Sequence, residues 1–180
     1  MNLYGGFTNT IGQFNSLNVW LVRDEFVADV PPPSEVPIDS SYRYTNNGDG
    51  TVTDNRSGLI WLKDANCFHN LSWWGAKQSA ANLANGQCGL SDGSTSGTWR
   101  LPSKAEWKAM IDKNYSYPVL SNAAGTGKWT EGDAFSGVQM DAYWSSNTSA
   151  YSNAWEMYLG NGSMFDFNKD STFYVWPVRD

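Results

Sequence analysis

The chain has 180 residues, enough for one domain with a substantial core, and only 17% of them are charged. Its formal net charge of −6 argues against nucleic acid and other polyanions as partners, because these need clustered Lys and Arg. Apolar runs stay well short of the roughly 20 residues of a membrane-spanning helix, so no membrane insertion is predicted.

The first 24 residues partly repeat the end of the chain. Residues 18–24 and 174–180 share Val, Trp, Val, Arg and Asp at identical spacing. We interpret residues 1–24 as the terminal hairpin of a preceding copy of the same domain. Residues 25–40 contain three consecutive prolines at 31–33 and a fourth at 37, which is typical of a semi-rigid linker. Residues 41–180 then form the main domain.

Two predicted hairpins begin this domain. The Asn, Asp and Gly residues at 46–50 and the Asn-Arg-Ser-Gly run at 55–58 separate three short strand-like segments, as hairpin turns do. The first cluster does not fit an EF-hand calcium loop. With Gly50 at the required glycine, the first and twelfth ligand positions would be Thr45 and Arg56, where carboxylates are needed.

A first helix is predicted to begin after Ser72, a favourable N-cap, and to stop at Gly86. Its buried face is formed by Trp73, Ala76, Ala80 and Leu83. Cys67 and Cys88 flank this helix. A disulfide between them suits an extracellular domain, and two free buried thiols are the alternative.

A second helix opens with the capping box from Ser103 to Glu106 and is predicted to end by Asn114. Its buried stripe is Trp107, Met110 and Ile111. Residues 115–139 follow without a clear period. Loops of that length are usually either functional or poorly ordered.

The last quarter has the composition of a binding surface. Residues 147–173 are mostly Asn, Ser, Thr, Asp, Gly, Tyr and Phe, the mixture of rings and adaptable hydrogen-bonding groups found in antibody loops. In residues 154–159, a period of two places Trp155, Met157 and Leu159 on a core face and Glu156 and Tyr158 on an exposed face. Ordinary solvated hairpins are the alternative.

The sequence predicts neither catalysis nor a cofactor. His69 is the single histidine, whereas a zinc site takes at least three protein ligands, and its spacing to Ser or Cys does not suggest a nucleophile and base. The glycine-rich run at 86–97 lacks the Lys-Ser/Thr ending of a phosphate loop. We therefore expect a non-enzymatic domain without a metal site.

Six short motifs carry a resemblance to a known family. They are residues 44–55, Gly58-Leu59-Ile60-Trp61, Trp99-Arg100-Leu101-Pro102, Tyr143-Trp144-Ser145-Ser146, Ala154-Trp155 and residues 175–179. In this order they resemble the domain at the C-terminus of bacterial collagen-like adhesins, in the formylglycine-generating-enzyme-like branch of the C-type lectin fold. The resemblance implies an α+β fold over residues 41–180, with two helices, short antiparallel strands and extensive ordered loops.

The final stretch also resembles the variable region of proteins diversified by retroelements, such as phage tropism determinants and their archaeal-virus relatives. This resemblance implies an extracellular, cell-surface or virion-associated domain that recognises a protein or cell-surface receptor. Arg100 and Arg179 are expected to be structural, whereas Trp176 stands where the adhesin-like family commonly has Arg and is placed on the binding face. The expected ligand-binding residues are Tyr151, Asn153, Glu156, Tyr158, Asn161, Ser163, Phe165, Phe167, Asn168, Asp170, Thr172, Phe173 and Trp176.

A glycan-binding adhesin domain of a surface protein is the alternative function, since sugar rings stack on Trp and Tyr. A purely structural unit of a tandem-repeat surface protein is a third hypothesis. The oligomeric state is left open by the sequence. No signal peptide is predicted, because Met1 is followed by Gly5, Gly6 and polar residues instead of a basic and then an apolar segment.

Overall fold

The computed structural model describes residues 42–180, so the interpretations of residues 1–24 and 25–40 lie outside the described part. This part contains two helices and nine strands, which confirms the predicted α+β fold. The helices are α1 (Trp73–Asn82) and α2 (Lys104–Met110). The strands are β1 (Tyr44–Asn46), β2 (Thr51–Asp54), β3 (Ile60–Leu62), β4 (Asn70–Ser72), β5 (Ala142–Thr148), β6 (Asn153–Tyr158), β7 (Ser163–Asn168), β8 (Thr172–Tyr174) and β9 (Val178–Arg179).

The first sheet has the order β1-β2-β3-β9 and is antiparallel throughout. Its two hairpins lie where the turn residues predicted them. Gly50 has a φ of +87°, and a Cβ at this position would collide with the backbone of Gly89. The turn therefore needs glycine both for its conformation and for the close approach of the loop after α1. Strand β9 brings the end of the chain back beside β3.

The second sheet has the order β4-β8-β5-β6-β7. Its pairs are antiparallel except for β5 and β8, which run parallel where Tyr143 faces Tyr174. The register between β5 and β6 shifts between Trp144 and Thr148. Strand β6 thus lies between two partners, whereas β7 is the edge strand of this sheet.

Both helices begin where their caps predicted. The Ser72 hydroxyl accepts from the Gly75 N–H at the start of α1. In α2, Ser103 and Glu106 make both hydrogen bonds of the capping box. Helix α2 ends at Met110, within the limit of Asn114 that the sequence predicted.

The end of α2 coincides with a buried arginine. The Arg43 guanidinium donates to the carbonyls of Ala109 and Met110 at 2.7 and 3.2 Å, which satisfies acceptors that the helix terminus leaves free. The same group forms a buried ion pair with Asp54 at 2.8 Å. A cation at this end also complements the helix dipole.

The core is built from large rings. Trp176 lies at its centre, with ring centroids 4.9 Å from Phe135, 5.5 Å from Trp61 and 5.9 Å from Trp107. Its side chain is fully buried, and its indole N–H donates to the Leu62 carbonyl at 2.7 Å. The placement of Trp176 on the binding face is therefore wrong: the segment that joins β8 to β9 passes through the core.

The two arginines expected to be structural have ion-pair partners. Arg100 forms a bidentate pair with Glu106, with both distances 2.8 Å, and also contacts Asp180. Arg179 pairs with Asp92 at 3.4 Å and lies over the Trp99 ring. These contacts link Arg100 to the first turn of α2 and to the C-terminal residue, and link Arg179 to the loop after α1.

The structure joins Cys67 and Cys88 in a disulfide with a Cα–Cα distance of 5.8 Å. The bond connects the turn before β4 to the loop after α1. Between α2 and β5 the chain is irregular but well packed, since Val119, Leu120 and Phe135 are buried there.

Candidate functional site

Three phenylalanines form an aromatic patch at the β7 edge of the second sheet. The patch consists of Phe165 and Phe167, with exposed fractions of 53% and 43%, and the partly buried Phe173. The rings of Phe167 and Phe173 lie 5.1 Å apart, and Phe173 in turn packs 4.7 Å from the buried Trp144. The exposed Phe167 ring is thus connected to the core through two aromatic contacts.

The register of β7 explains why these rings share a face. Phe167 lies opposite Ala154 and Phe165 lies opposite Glu156 on β6, and directly paired residues of adjacent strands point to the same side of a sheet. Because Ala154 is small, it leaves space above β6 for the neighbouring rings. The alternation Phe-Asp-Phe at 165–167 then turns the intervening Asp166 to the other face.

Glu156 does not belong to the exposed surface, contrary to the expectation from the period of two. It is buried on β6, between Trp144 of β5 and Phe165 of β7 in register, and its Oε2 has no hydrogen-bond partner. Burial raises the pKa of this carboxyl to about 7. The expectation is wrong because neighbouring elements cover both faces of the central strand, so alternation does not separate core from solvent there.

Tyr158 and Asn153 are only partly exposed. A Cβ at Gly160 would lie 2.5 Å from the Tyr158 ring, so that ring packs directly over the glycine. The Asn153 amide donates to Asp166 at 3.1 Å, and Ser149 donates to the same carboxylate at 2.7 Å. These hydrogen bonds hold the pKa of Asp166 below its ordinary value. Both Tyr158 and Asn153 thus support the local structure.

A second surface feature, which we call the tryptophan cleft, lies where α1, the β5–β6 loop and the β7–β8 turn meet. Its volume is about 540 Å³, within the range of roughly 300 to 1,000 Å³ seen for small-ligand sites. Its lining residues are Trp74, Thr148, Ala150, Tyr151, Ser152, Asn168, Lys169 and Asp170. The Trp74 and Tyr151 side chains are 58% and 99% exposed.

The structure distributes the sequence-predicted residues over several places. Tyr151, Asn168 and Asp170 meet at the cleft, while Phe165, Phe167 and Phe173 form the patch. Asn161 and Ser163 lie in and beside the β6–β7 turn, where the Asn161 side chain accepts from the Ser163 N–H. Thr172 is exposed on β8.

Trp74 was not among the residues predicted from the sequence, although a signal was present. Trp73 and Trp74 are adjacent at the start of α1, and successive helical residues point about 100° apart. Because Trp73 occupies the buried face with Ala76 and Ala80, its neighbour must turn away from that face. The exposure of Trp74 was therefore predictable from the sequence.

Within residues 42–180, no group of three or more His, Cys, Asp or Glu side chains is arranged to hold a metal ion. His69 is exposed in this region. Neither helix of the described region is long and apolar enough to span a membrane.

Comparison with known protein families identifies most of the domain. A search of curated proteins found no match. A scan of protein families matched residues 50–179 to the Lcl C-terminal domain, so the match runs from β2 into β9 and includes both the aromatic patch and the tryptophan cleft. This match supports a C-type lectin-like ligand-binding domain. Because it spans well over half of the chain, the protein belongs to the Lcl C-terminal domain family.

Proposed function

We propose that the protein is a non-enzymatic recognition domain that binds a protein receptor on a cell surface through the aromatic patch. The observation that carries this proposal is the exposure of Phe165 and Phe167 on edge strand β7, whose one neighbour, β6, is partly buried. Exposed aromatic rings on a rigid support are the usual energetic anchors of protein interfaces. Because β7 is the edge strand of its sheet, one of its two sides is open to a partner.

We also propose that the C-terminal surface is varied by a retroelement, as the sequence resemblance suggests. In support, Phe165 and Phe167 of the patch and Tyr151 of the cleft are exposed, whereas Trp61, Trp107 and Trp176 are fully buried. The nucleotide sequence tests this proposal. A reverse transcriptase and an imperfect repeat of the codons for residues 147–176 beside the gene would support it, and their absence would contradict it.

The receptor proposal is tested with the fluorescently labelled protein on a panel of bacterial and eukaryotic cells. Flow cytometry compares the wild type with Phe165→Ser and Phe167→Ser. Tyr42→Ser is the matched control, since Tyr42 is also about half exposed but precedes the first sheet. Loss of binding in the two patch variants alone supports the proposal; equal binding by all four proteins would contradict it.

Treatment of the cells identifies the receptor class. Protease treatment should abolish binding if the receptor is a protein, whereas periodate, which cleaves the vicinal diols of sugars, should leave it intact. The reverse pattern would favour the alternative, a glycan-binding adhesin domain. The tryptophan cleft is the specific observation in favour of that alternative.

A further inference from the structure

Strand β7 has an open outer side, unlike the other three outermost strands of the two sheets. At β1, the Tyr44 N–H donates to the Ala123 carbonyl at 2.9 Å. At β9, Val178 exchanges both backbone hydrogen bonds with Arg100, at 2.9 and 3.0 Å. Strand β4 has only three residues and runs directly into α1. Among the described residues 42–180, β7 is therefore the long edge strand whose outer side is uncovered.

The register with β6 shows which backbone groups of β7 point to this open edge. All six residues of β7 pair with β6 in one continuous register. Just beyond the strand, the Lys169 N–H donates to the Ser152 carbonyl at 2.8 Å in the same register. Because the direction of hydrogen bonding alternates along an antiparallel strand, the N–H and carbonyl groups of Met164 and Asp166 point away from β6. These groups are available to a further strand.

The sequence of β7 does little to block such pairing. Natural edge strands are commonly protected by proline, lysine, a bulge or a short length, because an open row of backbone groups pairs readily with other chains. The strand Ser163–Asn168 contains neither proline nor lysine, and its pairing with β6 has no bulge. Its one charged side chain is Asp166. A single carboxylate repels acidic segments and attracts basic ones, so it selects among partners.

The side chains on the two faces of β7 define the partner further. Phe165 and Phe167 are exposed on one face, and Asp166 between them is exposed on the other. The Ser149 hydroxyl and the Asn153 amide donate to Oδ2 of Asp166 at 2.7 and 3.1 Å, which holds the carboxylate in place. A strand paired with β7 would place side chains beside all three exposed residues, because directly paired residues share a face.

These contacts specify a partner with alternating chemistry. A Lys or Arg suits the position opposite Asp166, and apolar residues on either side of it would pack against the phenylalanine rings. The cation nearest to hand, Lys104, lies 3.0 Å from the ring centroid of Trp155 on β6, so it does not occupy the outer side of β7. A second copy of the chain fits less well, since each copy carries a net charge of −6 and would bring another Asp166 to the same edge.

We propose that the open edge of β7 binds an extended segment of a partner protein as an additional antiparallel strand, with a basic residue beside Asp166 and apolar residues beside Phe165 and Phe167. This inference rests on the proposed receptor function and names the kind of segment that the aromatic patch recognises. Backbone hydrogen bonds supply affinity in this mode of binding, and the alternating side chains supply specificity. Antiparallel pairing is the more stable of the two directions per residue.

The test uses fluorescently labelled peptides with the sequence Thr-Thr-Val-Lys-Val-Thr-Thr, blocked at both ends, and anisotropy titration with the full chain. Three further peptides have Arg, Ser or Glu at the central position. We expect the Lys and Arg peptides to bind at least about threefold more tightly than the Glu peptide, with the Ser peptide between them. Failure of all four peptides to bind, or equal affinity for the Lys and Glu peptides, would overturn the proposal.

Methylation of peptide nitrogens separates strand addition from side-chain contact alone. In an antiparallel pair with the peptide lysine opposite Asp166, the lysine N–H points to β7 and the N–H of the following valine points to solvent. Methylation of the lysine nitrogen should therefore weaken binding by about tenfold or more, whereas methylation of the valine nitrogen should change it by less than about threefold. Equal effects of the two methyl groups would contradict binding through the backbone.

Protein variants locate the binding at the edge. Asp166→Lys should reverse the preference, so that the Glu peptide binds more tightly than the Lys peptide. Asp170→Lys, the same charge change at an exposed residue in the turn after β7, should keep the wild-type order. Met164→Pro removes one outward N–H but no hydrogen bond to β6, and it should weaken all four peptides by about threefold or more. The wild-type order in Asp166→Lys, or wild-type affinities in Met164→Pro, would contradict the assignment.

The cell-binding assay separates this inference from the proposed function. Loss of binding by Phe165→Ser but not by Met164→Pro would overturn strand addition and leave the receptor function standing. Wild-type binding by Phe165→Ser would contradict the receptor function, and the peptide titrations then decide the inference by themselves. Sedimentation velocity tests the alternative occupant: a wild-type dimer that Met164→Pro dissociates would show that a second copy pairs with β7, which would overturn the choice of partner.

Discussion

At the scale of single residues, Glu156 is expected to make the stability of the folded protein depend on pH. The carboxyl is almost fully buried, and one of its oxygens lacks a partner. Because burial raises its pKa to about 7, the folded protein binds this proton more tightly than the unfolded chain does. The group therefore favours folding fully at low pH, and this contribution is lost as pH rises through about 7.

We expect Glu156→Gln to remove this dependence. Between pH 4.5 and pH 8, the free energy of unfolding of the wild type should fall by on the order of 3 kcal/mol relative to that of the variant. The variant should thus be the more stable protein at pH 8, where the wild type must bury a charge. Urea denaturation at the two pH values measures the difference. Parallel pH profiles for the two proteins would contradict the burial of an uncompensated carboxyl.

Trp176, by contrast, is a fully buried apolar residue. We expect Trp176→Ala to lower the free energy of unfolding by about 3 to 5 kcal/mol, because it leaves a cavity among the core rings. Phe165→Ala, an exposed aromatic change, should cost less than about 1 kcal/mol. Thermal or denaturant unfolding of both variants checks the contrast. Similar losses in the two proteins would show that β7 is part of the core.

At the scale of elements, the helix starts and the first hairpins were predictable because their signals are local. Ser72 and Ser103 cap the helices where the sequence indicates, and the glycine-rich turns at 46–50 and 55–58 lie between the expected strands. The sequence limited the end of α2 to Asn114 or earlier, but the exact last residue was not predictable, since it coincides with capping by Arg43, which is distant in the chain.

The exposed surface of the last quarter was predicted only in part, for the same reason. Phe165, Phe167 and Tyr151 are exposed as composition suggests, whereas Glu156 and Trp176 are buried. Their burial follows from long-range arrangement: β6 lies between β5 and β7, and the segment after β8 crosses the core. Local alternation contains no information about which strands become central.

The capping box of α2 gives a prediction at this scale. Ser103→Ala removes the hydroxyl that accepts from the Glu106 N–H, so the free energy of unfolding should fall by about 1 kcal/mol. Ser116→Ala, an exposed change outside the helices, is the control and should have little effect. Denaturant titration compares the two variants. An equal effect at both sites would argue against a contribution from the cap.

At the scale of the whole molecule, an aromatic core and one disulfide hold a domain rich in irregular loops. The disulfide closes a segment with a sequence separation of 21 residues. In the chain-entropy description, closure of a loop of this size stabilises the fold by about 3 kcal/mol. We expect the double variant Cys67→Ser, Cys88→Ser to lose roughly this much, as measured by its urea midpoint. Reductant should lower the midpoint of the wild type but not that of the variant, and a wild type insensitive to reductant would contradict this role.

We infer that the buried tryptophans form a fixed frame and that the exposed side chains form a surface that can be exchanged. A saturation library tests this inference without a known receptor. Positions 151, 165, 167, 168 and 170 represent the surface, while 61, 107 and 176 represent the frame. Resistance to proteolysis, read by sequencing of the surviving clones, reports folding for every substitution. We expect most residues to be accepted at the surface positions and few at the frame positions. Comparable intolerance at both sets of positions would contradict the separation of surface from frame.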